Sequence, residues 1–252
     1  MLLDGARTVV GRVQRARETH GVSGVVRTAG ARVRQWAHRI EEHHWWEAVL
    51  ADVPQARPMP EGMTAGRLPR EDIDKAASLP MVNFAAAGER YAAGGHNWVA
   101  LDETDRAAFG TWAFPGKVPL RVGHRGWATL PADVVGVEDG ATTPAARRTN
   151  VAIAVLGVMA DTYTAEGMRS LVAKTAVGNR PVYMLLSRAG YRRVGLMRSV
   201  WIGPLRFATF TDVEGPVGAA LEAELGGGLP GKARRTAARL AGSLRQRTGR
   251  AG

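Results

Sequence analysis

The chain has 252 residues, 45% hydrophobic and 23% charged, which is enough apolar material to bury one main domain with appendages. It holds no cysteine, so disulfides, thiolate metal sites and a cysteine nucleophile are excluded, and a reducing cytoplasm fits. The formal net charge of +11 sits at the ends: residues 1–39 carry +6, residues 229–252 carry +7, and residues 40–228 carry −2.

Met1-Leu2-Leu3-Asp4-Gly5 brings an acid early, and Arg12 and Arg15 interrupt any apolar run of signal-peptide length. No stretch approaches the roughly 20 uncharged apolar residues of a membrane-spanning helix, so a soluble protein without a transmembrane segment is expected. Val9, Val10, Val13, Val22, Val25, Val26, Val33 and Trp36 lie among arginines at mostly helical spacing, with breaks at Gly21 and Gly24. Two short basic amphipathic helices follow from that pattern, suited to a polyanion, to anionic lipid or to an acidic face of the protein itself. His43-His44-Trp45-Trp46 reads as part of a helix in which adjacent histidines diverge by about 100° and seldom share a metal. Its tryptophans would dock the helix on the domain, with Pro54, Pro58 and Pro60 behind it as a connector.

From Met63 strands and helices alternate. Thr64 to Leu68 reads as a strand, Glu71-Asp72-Ile73-Asp74 as an acidic helix start, and Ala85 to Tyr91 as a helix ended by Gly94-Gly95. His96 to Leu101 and Ala107 to Phe114 form a predicted hairpin around Asp102-Glu103-Thr104-Asp105. Val134 to Thr142 is predicted extended, Thr149 to Glu166 a long helix, Ser170 to Thr175 a buried strand, and Pro181 to Ala189 a helix capped at Gly190. Val194 to Ile202 and Phe207 to Phe210 close the fold as a hairpin around Gly203-Pro204. Beyond the flexible Gly226-Gly227-Gly228, the tail sets Ala237, Leu240, Ala241 and Leu244 on one face of a possible basic helix.

This order of elements, with Arg147-x-x-Asn150-x-Ala152 before the long helix and Asn179 upstream of Gly190-Tyr191, resembles the GNAT superfamily of acyl-CoA-dependent N-acyltransferases over roughly Met63 to Thr211. The resemblance implies an α+β GNAT fold: a central mixed, mostly antiparallel sheet with helices on both faces, here with basic helical N- and C-terminal extensions. The expected division is a basic helical extension and connector over 1–57, the acyltransferase domain over 58–212 and a basic tail over 213–252.

The resemblance also implies acetyl-CoA or another acyl-CoA as co-substrate, and no metal. Its pyrophosphate would meet the segment Thr142, Thr143, Arg147, Arg148, Thr149, Asn150, Val151 and Ala152, because unpaired amides at a helix start attract phosphate oxygens. Asn179 and the helix after it would line the pantetheine arm. Asn150 stands where the family usually has glycine, and Leu186 where many members have the tyrosine that protonates the departing thiolate. Tyr183, one turn earlier, is the substitute candidate.

Glu138 and Asp139 are the acids of the strand Val134 to Thr142, and strand alternation sends them to opposite faces. Glu138 is the expected base for an ammonium acceptor, Asp139 a structural or acceptor-binding acid, and Lys174 a partner for Asp139 or for an acidic acceptor. The acceptor, a small-molecule or peptide amine, is expected to contact Ala85 to His96, the loop Pro115 to Trp127 with Lys117, Arg121, His124 and Arg125, and the final hairpin. Two alternatives use the same fold: an aminoacyl-tRNA-dependent transferase, whose arginine-rich ends would bind tRNA or another polyanion, and a catalytically degenerate binding module.

Overall fold

The computed structural model describes residues 39–53, 57–79, 84–124, 126–202 and 205–226. In it the run read from sequence as a docking helix is strand β1 (Arg39–Val49), an interior strand of the main sheet. Trp45 and Glu47 are buried on one face and Trp46 and Ala48 on the other. A strand covered on both faces loses the polar alternation that marks a half-buried one, and its apolar run then reads equally well as a helix. β1 also lies within the span assigned to an N-terminal extension. The basic helices expected before it, and the tail helix after Leu229, lie outside the described residues.

The remaining elements follow the expected order. A 3₁₀ turn, Leu50–Asp52, leaves β1, and β2 (Thr64–Leu68) is followed by a 3₁₀ helix, Arg70–Ala76. Helix α1 (Phe84–Ala92) precedes β3 (His96–Leu101) and β4 (Ala107–Pro115). The loop expected over Pro115 to Trp127 is instead β5 (Lys117–His124), which pairs with β6 (Trp127–Thr129) as a small second sheet. Then come β7 (Val134–Thr142), the long helix α2 (Val151–Ala165), β8 (Ser170–Ala176) and α3 (Arg180–Arg188). β9 (Arg192–Ile202), β10 (Leu205–Thr211) and α4 (Gly215–Gly226) complete the described chain.

The strand order in the main sheet is β10-β9-β1-β8-β7-β4-β3-β2. β2–β3, β3–β4, β4–β7 and β1–β8 pair antiparallel, whereas β7 and β8, joined through α2, pair parallel. Alternate residues feed two cores. Trp46, Val135, Val137, Leu171 and Ala173 join α2 and α3 on one face. Trp45, Val134 and Val172 join β5, β6 and α4 on the other. Gly136 is required there, because a Cβ would lie 2.5 Å from the carbonyl oxygen of Lys117.

Helix α4 falls in the span read as a basic tail, yet Val217, Leu221 and Leu225 are buried in the second core. The fully buried Glu47 lies close to its first residue, and Arg169 and Arg192 each approach the Glu47 carboxylate to 3.6 Å.

Contacts divide the chain into two units, one of Met1–Glu41 with Ser199–Phe207 and one of Glu42–Arg198 with Ala208–Gly252. In the first, the described residues are the beginning of β1, the end of β9 and the beginning of β10. The second holds both cores and the site described next.

Candidate functional site

The parallel register of β7 and β8 runs from Val134 opposite Ser170 to Val137 opposite Ala173 and ends there, although both strands continue. Their next residues, Glu138 and Lys174, form an ion pair at the point of parting. Lys174 was expected to meet Asp139, and it meets Glu138 instead. Both side chains are largely buried, and the Glu138 Oε2 atom is buried without a hydrogen-bond partner. Burial pushes the Glu138 carboxyl above the usual glutamate range, and this outweighs the opposing pull of Lys174.

The backbone explains where Asp139 goes. Between Gly110–Ala141 and Trp112–Glu138 pairings, β7 spends one more residue than β4, and Asp139 adopts φ 55°. That is a β-bulge, and an extra residue interrupts side-chain alternation. The expectation of opposite faces therefore fails. Asp139 forms an ion pair with Arg90 of α1, and the Arg90 guanidinium lies 5.3 Å from the centroid of the Trp112 ring. Trp112 is the cross-strand partner of Glu138, so Glu138, Trp112, Arg90 and Asp139 gather on the α1 side of the sheet. Arg90 was not singled out from sequence; it lies in the segment Ala85 to His96 expected to touch the acceptor.

On the other approach to the gap, Thr143 follows β7 with its amide bonded to the Ala108 carbonyl, and a tight loop reaches α2. The amides of Ala146, Arg147 and Thr149 donate to carbonyls within the loop, so they do not serve a phosphate. The first helical bond is Ala154 to the Asn150 carbonyl, which leaves the amides of Val151, Ala152 and Ile153 ahead of the ladder, save for a 3.4 Å approach of Val151 to Thr149 Oγ1. Asn150 adopts φ 65°, the left-handed conformation that glycine takes freely and asparagine better than most residues. Its side chain is drawn aside: Arg188 of α3 donates to Asn150 Oδ1 at 3.1 Å. Arg148 also has positive φ, and Arg147 and Arg148 are exposed beside the helix start. Thr142 lies at the end of β7, opposite Phe109. These residues fit a phosphate group: left-handed backbone, helix-start amides and two solvated arginines converge.

Asn179 precedes α3 but makes no side-chain capping bond, and it is exposed. Tyr183 sets its ring edge-on to His44 and Trp46 of β1, at 5.3 and 5.2 Å between centroids. Its hydroxyl is buried without a hydrogen-bond partner, and Leu186 is buried in the first core. Lys117 lies 5.0 Å from the Trp127 ring centroid on the small second sheet, so it packs on its own hairpin. The side chains of Arg121 and His124, and all of Arg125, lie outside the description. Among the described residues, no group of three or more His, Asp or Glu is placed to hold a metal, and no helix is long and apolar enough to cross a membrane.

No protein-family model matches the chain, and no curated protein matches it in sequence. Solved structures similar to it include a GNAT-family protein from Novosphingobium aromaticivorans, 17% identical over 65% of this chain and 66% of that one, with a TM-score of 0.46. A GCN5-related N-acetyltransferase from Sphaerobacter thermophilus is 15% identical over 72% of this chain and 57% of its own, also at 0.46. An aminoglycoside 6′-N-acetyltransferase from Acinetobacter baumannii is 14% identical over 52% of this chain and 91% of its own, at 0.40. The strand order, the helical crossover between β7 and β8 and the parting of those strands beyond Val137 and Ala173 are those of an α+β domain with a mixed, mostly antiparallel sheet, as expected from the sequence.

Proposed function

We propose that the protein transfers an acyl group, acetyl in the simplest case, from acyl-CoA to an amine by direct attack. The observation that carries this reading is the gap between β7 and β8, with a buried carboxylate on one side and a left-handed, arginine-flanked helix start at the far end of β7. Acyl-CoA would supply an activated thioester. The helix-start amides of Val151, Ala152 and Ile153, with Thr142, Thr143, Arg147, Arg148, Thr149 and Asn150 around them, would hold its phosphates, and exposed Asn179 would meet the pantetheine arm.

Glu138 then acts as the base. It takes a proton from the ammonium form of the acceptor, the freed nitrogen bonds to the thioester carbonyl carbon, and the carbon–sulfur bond breaks. A burial-raised carboxylate is a better match to an ammonium proton than an ordinary glutamate. Tyr183, whose hydroxyl has no hydrogen-bond partner, is the candidate to protonate the departing thiolate. A thiolate is already a fair leaving group, so this last role is the lesser one.

The test is thermal. Acetyl-CoA at about 100 times its Kd stabilises a folded protein that binds it by about 2.7 kcal/mol, a shift of several degrees in Tm. No shift at millimolar acetyl-CoA overturns the reading and leaves the fold as a binding module.

A further inference from the structure

On the α1 side of the gap, four charged side chains alternate in sign: Lys174, Glu138, Arg90 and Asp139. The row is electrically neutral, and it is organised by the β-bulge at Asp139 and by the Trp112 ring, over which Arg90 lies. Two ion pairs use one atom from each inner residue, the carboxylate Oε1 of Glu138 for Lys174 and the guanidinium Nη2 of Arg90 for Asp139. The other atoms, Glu138 Oε2 and Arg90 Nη1, are both buried and have no hydrogen-bond partner. Buried polar atoms rarely stay unpartnered, and charged ones least of all. Glu138 Oε2 is an acceptor suited to a cation, and Arg90 Nη1 a donor suited to an anion.

From this pairing we infer that the acceptor is a zwitterionic α-amino acid, its ammonium group on Glu138 and its carboxylate on Arg90. The inference deepens the proposed acyltransfer and rests on it for chemistry, but the binding part stands by itself. A simple monoamine would satisfy Glu138 and leave Arg90 Nη1 buried and unpaired. A polycation would bring several charges to a neutral row. A zwitterion adds no net charge and fills both positions, and a guanidinium is suited to a carboxylate by geometry. Transfer then gives the N-acyl amino acid and free CoA thiol: one ammonium proton goes to Glu138, the nitrogen–carbon bond forms as the carbon–sulfur bond breaks, and the second proton leaving nitrogen ends on the thiolate.

The experiment compares L-leucine and L-phenylalanine with their amides and with the amines formed by removing their carboxyl groups. Equilibrium binding is measured by calorimetry on the full chain, and acylation is followed with acetyl-CoA by mass spectrometry. The expected result is binding of the amino acids at least tenfold tighter than of either analogue, with the same order in kcat/KM. Arg90→Gln should lower binding of the amino acids at least tenfold more than binding of the decarboxylated amines, and Arg90→Lys should restore part of the preference. A merely structural Arg90 would weaken all ligands together. Equal binding of amino acids and amines, or binding of neither, overturns the proposal. If amines are acylated and amino acids are not, the acceptor assignment fails while acyl transfer stands. If amino acids bind but acetyl-CoA neither binds nor reacts, acyl transfer fails and the zwitterion site stands.

Discussion

Glu138 is a carboxylate with one oxygen on Lys174 and the other buried without a partner. In the proposed role of base it is competent only when ionised, so the rate should fall as pH drops through its raised pKa, and the acidic limb of kcat/KM should lie above the usual glutamate range. Glu138→Gln should lower kcat by about 10²-fold or more and erase that limb, as read from a pH–rate profile. The stability sign runs the other way. A carboxyl with a higher pKa in the folded state contributes most below its unfolded pKa, and that contribution is lost as pH rises through the folded value.

Asn150 offers a second test at this scale. Its φ of 65° costs an ordinary side chain roughly 1–2 kcal/mol and glycine nothing. Asn150→Ala should therefore lose about 1 kcal/mol in denaturant unfolding and weaken acetyl-CoA binding, whereas Asn150→Gly should keep both near the parent values. The glycine position of the loop was legible in sequence as a departure from pattern. That a left-handed asparagine stands there with its side chain bonded to Arg188 was not, because the partner lies on a different element.

Among the elements, β1 is one that sequence patterning misread. Trp45 is fully buried between β8 and the second core, tilted against Phe210 with ring centroids 6.1 Å apart. Trp45→Ala should cost about 3–5 kcal/mol, a large part of the stability of a single domain, and circular dichroism melts will show it. A helix merely docked on the surface would lose far less. The hairpin β3–β4, the strand β7 and the helix α2 were readable because each shows one periodicity bounded by a turn, a glycine or a cap. β1 shows none, since both of its faces are covered, and the strands beside it, β9 and β8, are distant in sequence.

At the scale of the molecule, the last described helix belongs to the core. Val217, Leu221 and Leu225 of α4 are buried, and burying each apolar side chain is worth about 1.5–3 kcal/mol. A chain ending at residue 214 should fail to fold cooperatively, whereas one ending at 228 should keep the parent Tm. The shorter removal takes away the +7 of residues 229–252 and should reduce any salt-sensitive binding of tRNA, measured by filter retention at two salt concentrations.

Composition, charge placement and local periodicity determined by themselves the α+β class, the position of most strands and helices, and the carboxylate of β7 as the candidate base. Those properties are carried by neighbouring residues in the chain. The tertiary structure alone decided that β1 is an interior strand, that α4 belongs to the core, that Lys174 pairs with Glu138 and that Arg90 holds Asp139. Each of these depends on which distant segments cover a strand or on a single-residue bulge in register, and neither leaves a periodic trace in the sequence.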